Sequence, residues 1–205
     1  DEQRIASRQF CGDPWKALPA LVVSVTMSRC PFMLYAGQEL GEQAADAEGY
    51  SGLDGRTTIF DYWSVPSLRR WHLGKPTASE KKLRSLYRKV LRLCNSEPTL
   101  ARGQFFDLMY VNQDTLNPKR QYAYLRHCDG EMTLVVANFD DQPVDTAVRI
   151  PQHALDCAQM PHGACLCRHL LSDETSTLLL GDNTSIPVHM GAHSAAMLHI
   201  SPEPD

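Results

Sequence analysis

The hydrophobic period changes partway along this chain, and that change limits its fold more than any other feature. Up to about residue 102 the apolar residues recur at helical spacing or in unbroken runs, and from about residue 103 they alternate in short stretches of period two. QYAYLRH and MTLVVANF flank Cys128-Asp129-Gly130-Glu131, and an Asp-Gly pair between alternating runs predicts a two-residue hairpin. PVDTAVRI adds a third strand, and RHLLS, STLLL, SIPVHM and HSAAMLHI add four more between Asp, Asn and Gly breaks. From residue 103 onward the chain therefore reads as strands only. Short strands in that rhythm predict an antiparallel sandwich with Leu134, Val136, Val148, Ile150 and Leu198 facing its interior.

The earlier half reads differently. Asp13-Pro14 is a helix start, a capping residue followed by proline in the first turn, and it leads into the apolar run from Leu18 until Arg29-Cys30-Pro31 stops it. FMLYAG, an unbroken apolar run, predicts a strand over Phe32–Ala36 buried on both faces as in a parallel sheet. Gly41–Gly74 has no sustained period, and a loop of that length inside a compact domain is usually functional or disordered. Thr77-Ala78-Ser79-Glu80 is a capping box, after which Leu83, Leu86, Tyr87, Val90 and Leu91 share one helical face. The opposite face carries Lys81, Lys82, Arg84, Arg88, Lys89 and Arg92. No aromatic stacking residues interleave with the charges on that face, so it reads as solvated rather than as a phosphate-binding stripe. The fold class is α/β followed by all-β, with residues 1–102 and 103–205 as the two parts.

With 205 residues, 43% of them hydrophobic and 21% charged, the chain has room for one large domain or two small ones. Its net charge of −4 excludes a whole-chain electrostatic footprint for nucleic acid or anionic membrane, which points to a neutral partner. The longest apolar stretch, Ala17–Met27, is interrupted by Pro19, Ser24 and Thr26 and falls well short of the roughly 20 residues a spanning helix needs. The opening DEQRIASRQF has neither the basic start nor the apolar core of a secretory signal. Seven cysteines leave at least one unpaired within the chain, which favours a reducing, cytoplasmic compartment. Asn183-Thr184-Ser185, an N-glycosylation sequon, points the other way, toward a secreted or periplasmic protein.

Several side-chain sets could carry chemistry. His162, Cys165, Cys167 and His169 are four zinc-ligand types within one short stretch, with Cys165, Cys167 and His169 on one face of a strand. Structural zinc sites draw ligand pairs of different spacing from separate loops, so buried thiols beside a surface histidine are the preferred reading, and no metal site is assigned. Cysteine–histidine nucleophile pairs are available among seven cysteines and eight histidines, but no local signature marks one. Phosphate binding lacks its Gly-rich loop and lysine. The carboxylates near the expected strand ends, Asp1, Glu2, Glu39, Glu42, Asp54 and Asp61, remain as candidates, against the plainer account that each caps the next element.

At these residues the sequence resembles the last part of an α-amylase-family glycoside hydrolase. Tyr35, Gly37 and Glu39 match that family's Tyr-x-Gly-x-Glu motif after its eighth barrel strand. Asp1 and Arg4 match the end of its Asn-His-Asp-x-x-Arg motif after the seventh. The family's Gly-x-Pro falls on Cys30, Pro31 and Phe32, with the proline displaced by one position.

The resemblance implies the C-terminal remnant of a (β/α)8 barrel over residues 1–102 and an antiparallel β-sandwich, domain C, over 103–205. It implies a retaining glycosidase or transglycosylase acting on an α-glucan or maltooligosaccharide, with Asp1 as the transition-state-stabilising carboxylate. Arg4, Tyr50 and Trp63 would bind substrate. The nucleophile and general acid would precede Asp1, so this stretch would be inactive alone and would pack against the rest of the barrel. It implies no cofactor here, with calcium possible only in the preceding part. Two further readings stand beside it: a carbohydrate-binding or structural β-sandwich, and a β domain held by a metal at His162–His169.

Overall fold

The computed structural model describes residues 3–45, 53–58, 60 and 65–203. In chain order the helices are α1 (Leu18–Thr26), α2 (Pro66–His72), α3 (Ala78–Ser96), α4 (Pro98–Ala101) and α5 (Gln152–Ala158). The strands are β1 (Gln104–Asp107), β2 (Gln121–Cys128), β3 (Glu131–Asn138), β4 (Val144–Pro151), β5 (Gly163–His169), β6 (Thr175–Leu180), β7 (Asn183–Met190) and β8 (Ser194–Pro202). Two compact units result, one from Asp1–Leu18 and Pro31–Val90, the other from Pro19–Cys30 and Leu91–Asp205.

In the first unit the local signals act as their chemistry dictates. Asp13 accepts a hydrogen bond from Trp15 N at 2.9 Å and opens a 3-10 turn over Pro14–Ala17. The capping box before α3 closes both ways: Glu80 N donates to Thr77 Oγ1 at 3.1 Å, and Thr77 N donates to Glu80 Oε2 at 2.7 Å. Leu83, Tyr87 and Val90 are buried. Part of the basic face is not simply solvated, because rings from other segments lie under it. Arg84 stands 4.3 Å over Trp71, and Lys82 stands 5.6 Å from the Trp15 ring centre.

The strand expected over Phe32–Ala36 is not formed. Residues 31–35 are irregular, and the described residues of this unit contain no strand to pair with them. An apolar run acquires strand structure only through a ladder, and without one Met33 is 89% exposed.

The second unit holds the expected antiparallel sheets. A six-stranded sheet in the order β1-β2-β3-β8-β5-β6 faces a common core with a two-stranded sheet, β4-β7. Every pairing is antiparallel. Leu134, Val136, Val148, Ile150 and Leu198 all lie in that core. Asp129 and Gly130, at φ 54° and 75°, make the tight turn between β2 and β3, a conformation that favours this residue pair.

Details differ from the strand-only reading, beginning with a 3-10 turn over Met109–Val111. The stretch after Pro151 is α5, with Ala154, Leu155 and Ala158 buried along one side and Gln159 left-handed at its end. The strand expected at RHLLS lies earlier, over Gly163–His169, and ends where Asp173 N donates back to His169 O.

The six-stranded sheet is covered on its outer face as well. Tyr124, which is fully buried, shares a hydrogen bond with Thr26 at the end of α1. Arg126, 1% exposed, donates to Met27 O at 2.9 Å, Leu100 O at 3.1 Å and Gly103 O at 2.7 Å. Its guanidinium thus caps carbonyls at the ends of α1 and α4.

Nearby, Thr99 and Thr133 share a hydroxyl hydrogen bond, and Thr133 Oγ1 meets His199 Nδ1 at 3.3 Å. Burial lowers the His199 imidazole below its ordinary 6.5; Glu97 and Glu131 oppose that shift and Arg168 adds to it. His127 is lowered too, by burial and by Arg126. Both histidines hold a proton less readily in the folded chain, so the unfolded chain binds more protons. Stability is therefore expected to be fully present above pH 6.5 and to be lost as pH falls through the lowered folded values. Urea midpoints at about pH 8 and about pH 5 check this, and His199→Gln should flatten part of the slope.

Candidate functional site

An open cleft of about 810 Å³ lies in the first unit, lined among others by Arg4, Tyr35, Gln38, Glu42 and Thr57. Tyr35 ends the irregular apolar run, and the chain then turns sharply. Gly37 adopts φ 86°, Gln38–Leu40 forms a 3-10 turn, and Glu42 N donates to Gly37 O at 3.1 Å. A Cβ on Gly37 would sit 3.3 Å from Glu42 Cβ in a left-handed backbone, so both conformation and space call for glycine here.

Arg4 enters from the chain's opening segment. Its guanidinium carbon lies 4.4 Å over the Tyr35 ring, and its Nε donates to Thr57 Oγ1 at 2.8 Å. Tyr35 Oη donates to Thr57 O at 3.0 Å. Arg4 and Tyr35, taken from two separate motifs, therefore meet, and Thr57 joins them. No spacing or motif singled out Thr57, because its role depends on groups distant in sequence.

The carboxylates divide by what surrounds them. Glu42 is a capping group: Oε1 accepts from Ala44 N at 2.9 Å, and Oε2 accepts from Ser67 N at 3.2 Å and Ser67 Oγ at 2.6 Å at the start of α2. Glu39 has a buried Oε2 with no hydrogen-bond partner among the described residues. Asp54 binds Arg56 Nε at 2.8 Å, and that bond holds its carboxyl below the usual range. Asp1, Glu2, Tyr50, Asp61 and Trp63 lie outside the described residues.

The His162–His169 stretch does not converge as a ligand set. Cys165 and Cys167 are in the core, where burial pushes both thiols up, while His162 is exposed and bonds Gln152 Oε1 at 3.0 Å. Among the described residues no group of three or more His, Cys, Asp or Glu is placed to hold a metal ion. Nor do the aromatics of β1 and β2 form an open row. Phe105 lies 5.4 Å from Tyr124 between ring centres, and Tyr124 is sealed beneath Thr26. A second cavity, about 580 Å³ in the second unit, is edged by Asp145 and His189, which pair with each other.

No protein-family model and no curated protein matches the sequence. Solved structures do. A maltogenic α-amylase from Thermotoga neapolitana aligns at TM-score 0.61 and 14% identity over 98% of this chain and 39% of that one. The α-amylase of Geobacillus thermoleovorans, solved with acarbose, aligns at TM-score 0.60 and 16% identity over 94% and 34%. AmyP, solved with maltose, aligns at TM-score 0.58 and 13% identity over 94% and 36%. The chain thus spans well under half the length of each of these three structures. At such identities the likeness establishes fold, and the fold this chain carries is that of the C-terminal portion of α-amylase-family glycoside hydrolases.

Proposed function

We propose that this chain is the C-terminal portion of a retaining α-amylase-family hydrolase or transglycosylase acting on α-glucans. The observation that carries the reading is the meeting of Arg4 and Tyr35 in one cleft, the guanidinium 4.4 Å over the ring. Similar structures hold maltose and acarbose, which supports a maltooligosaccharide as the ligand class. In this reading residues 1–102 are the end of a (β/α)8 barrel, from the end of its seventh strand to its eighth helix, and residues 103–205 are domain C. Asp1 grips sugar hydroxyls and stabilises the oxocarbenium-like transition state, Arg4 binds substrate, and Tyr50 and Trp63 stack on sugar rings. Tyr35, Gly37 and Glu39 shape the turn after the eighth strand.

Retaining chemistry needs two further carboxyls about 5–5.5 Å apart, one as nucleophile and one as general acid. In this family both precede the position of Asp1. A protein of these 205 residues is therefore expected to release no reducing sugar from maltodextrin. A longer chain carrying Asn-His ahead of Asp1 should do so and should lose that turnover on Asp1→Asn. Turnover by the shorter protein, or turnover indifferent to Asp1→Asn, would overturn the reading.

The same reading supplies a covering partner for the irregular apolar run. Met33 and Phe60, 89% and 57% exposed, would lie against the preceding part of the barrel. Amides of Phe32–Ala36 are accordingly expected to exchange rapidly in a monomer of this chain. Strong protection there would contradict a truncated barrel.

A further inference from the structure

We propose that Thr57 is the positioning residue of this cleft, locking the Arg4 guanidinium and the Tyr35 ring into one recognition unit for the hydroxyl face of a sugar. Only the identity of the ligand rests on the functional reading above; the lock itself does not.

Thr57 is 1% exposed and offers two groups. Its Oγ1 accepts from Arg4 Nε at 2.8 Å and donates to Tyr35 Oη at 3.3 Å. Its carbonyl accepts from Tyr35 Oη at 3.0 Å. A hydroxyl has one proton and two lone pairs, so the order is determined: Nε–H to Oγ1, Oγ1–H to Oη, Oη–H to the carbonyl. Every proton in the chain has an acceptor, and the cation at its head polarises the bonds that follow.

The lock acts on geometry. An arginine side chain is long, and a stacked guanidinium can still slide or turn across a ring. Holding Nε and Oη through the one residue fixes the angle of the guanidinium against the ring it stands over. Because Arg4, Tyr35 and Thr57 all line the same cleft, that orientation is what a ligand would meet.

Valine has the volume of threonine without the hydroxyl, serine keeps the hydroxyl, and Tyr35→Phe keeps the ring while breaking the proton order. The test follows the Arg4 Nε–H resonance by NMR in the full 205-residue chain and titrates acarbose into the wild type, Thr57→Val, Thr57→Ser and Tyr35→Phe. Exchange of the Nε proton is expected to be slow in the wild type and Thr57→Ser. In Thr57→Val it should be at least about tenfold faster, with a smaller increase in Tyr35→Phe. Acarbose affinity is expected to fall about tenfold in Thr57→Val and to return with Thr57→Ser.

Unchanged Nε exchange in both Thr57→Val and Tyr35→Phe would overturn the proposal. So would faster exchange with unaltered acarbose affinity, which would make Thr57 a brace for the loop alone. If Thr57→Val does not fold, Tyr35→Phe decides by the same two readouts. If the wild type binds no acarbose yet Thr57→Val still frees the Nε proton, the lock stands and its role in sugar recognition fails, while the α-glucan reading is decided by turnover of the longer chain.

Discussion

Arg126→Met is expected to lower the unfolding free energy of the second unit by about 3 kcal/mol. The side chain is 1% exposed and serves carbonyls of Met27, Leu100 and Gly103. Methionine would fill much of the volume and would spare the cost of burying a charge. It would leave buried acceptors without donors, and each such loss costs about 1–3 kcal/mol. The positive charge at the ends of α1 and α4 would also be lost. Lysine can carry the charge but not the fork, so Arg126→Lys should recover only about half of the loss. Arg102→Ala is the control: its pair with Asp129 is 68% and 69% exposed, and about 0.5 kcal/mol or less should follow. Urea unfolding at neutral pH reads all three. A loss below about 1 kcal/mol in Arg126→Met would show that water takes over the carbonyls.

Gly103→Ala is expected to cost a similar amount, about 3 kcal/mol, for a steric reason. A Cβ at this position would lie 2.1 Å from Thr99 O and 3.0 Å from His127 O, both backbone atoms that no rotamer change can move. Relief requires displacing either α4 or the start of β1. Since Gly103 O is also an acceptor for Arg126, the displacement should loosen that bond as well. The double variant Arg126→Met with Gly103→Ala should therefore fall short of additivity by about 1 kcal/mol. Full additivity in a double-mutant cycle would mean that the two groups hold the segment independently.

The sequence alone determined those features whose partners lie a few residues away or whose pattern reports partition from water. Thr77 and Glu80 are one turn apart, so their reciprocal capping bonds were legible in four letters. Asp129-Gly130 specifies its turn through the positive φ both residues tolerate. Period two placed Leu134, Val136, Val148, Ile150 and Leu198 on the core side because successive strand residues face opposite ways. Arg4 and Tyr35 were named through a resemblance to motifs, and nothing in their spacing said that they would touch.

Only the tertiary structure decided matters that turn on remote neighbours. An apolar run such as Phe32–Ala36 is compatible with a strand, but a strand requires a second backbone to bond with. The residues after Pro151 formed α5 because Ala154, Leu155 and Ala158 found a core to face. Arg126 sits in an alternating strand, where a charged residue reads as solvent-facing. It is buried because the ends of α1 and α4, distant in sequence, bring carbonyls to it. Glu42 became a cap once Ser67 arrived, and Thr57 became the link between Arg4 and Tyr35. Hydrogen bonds between distant segments leave no period in a sequence, since each depends on where two stretches of backbone end up rather than on what either stretch prefers by itself.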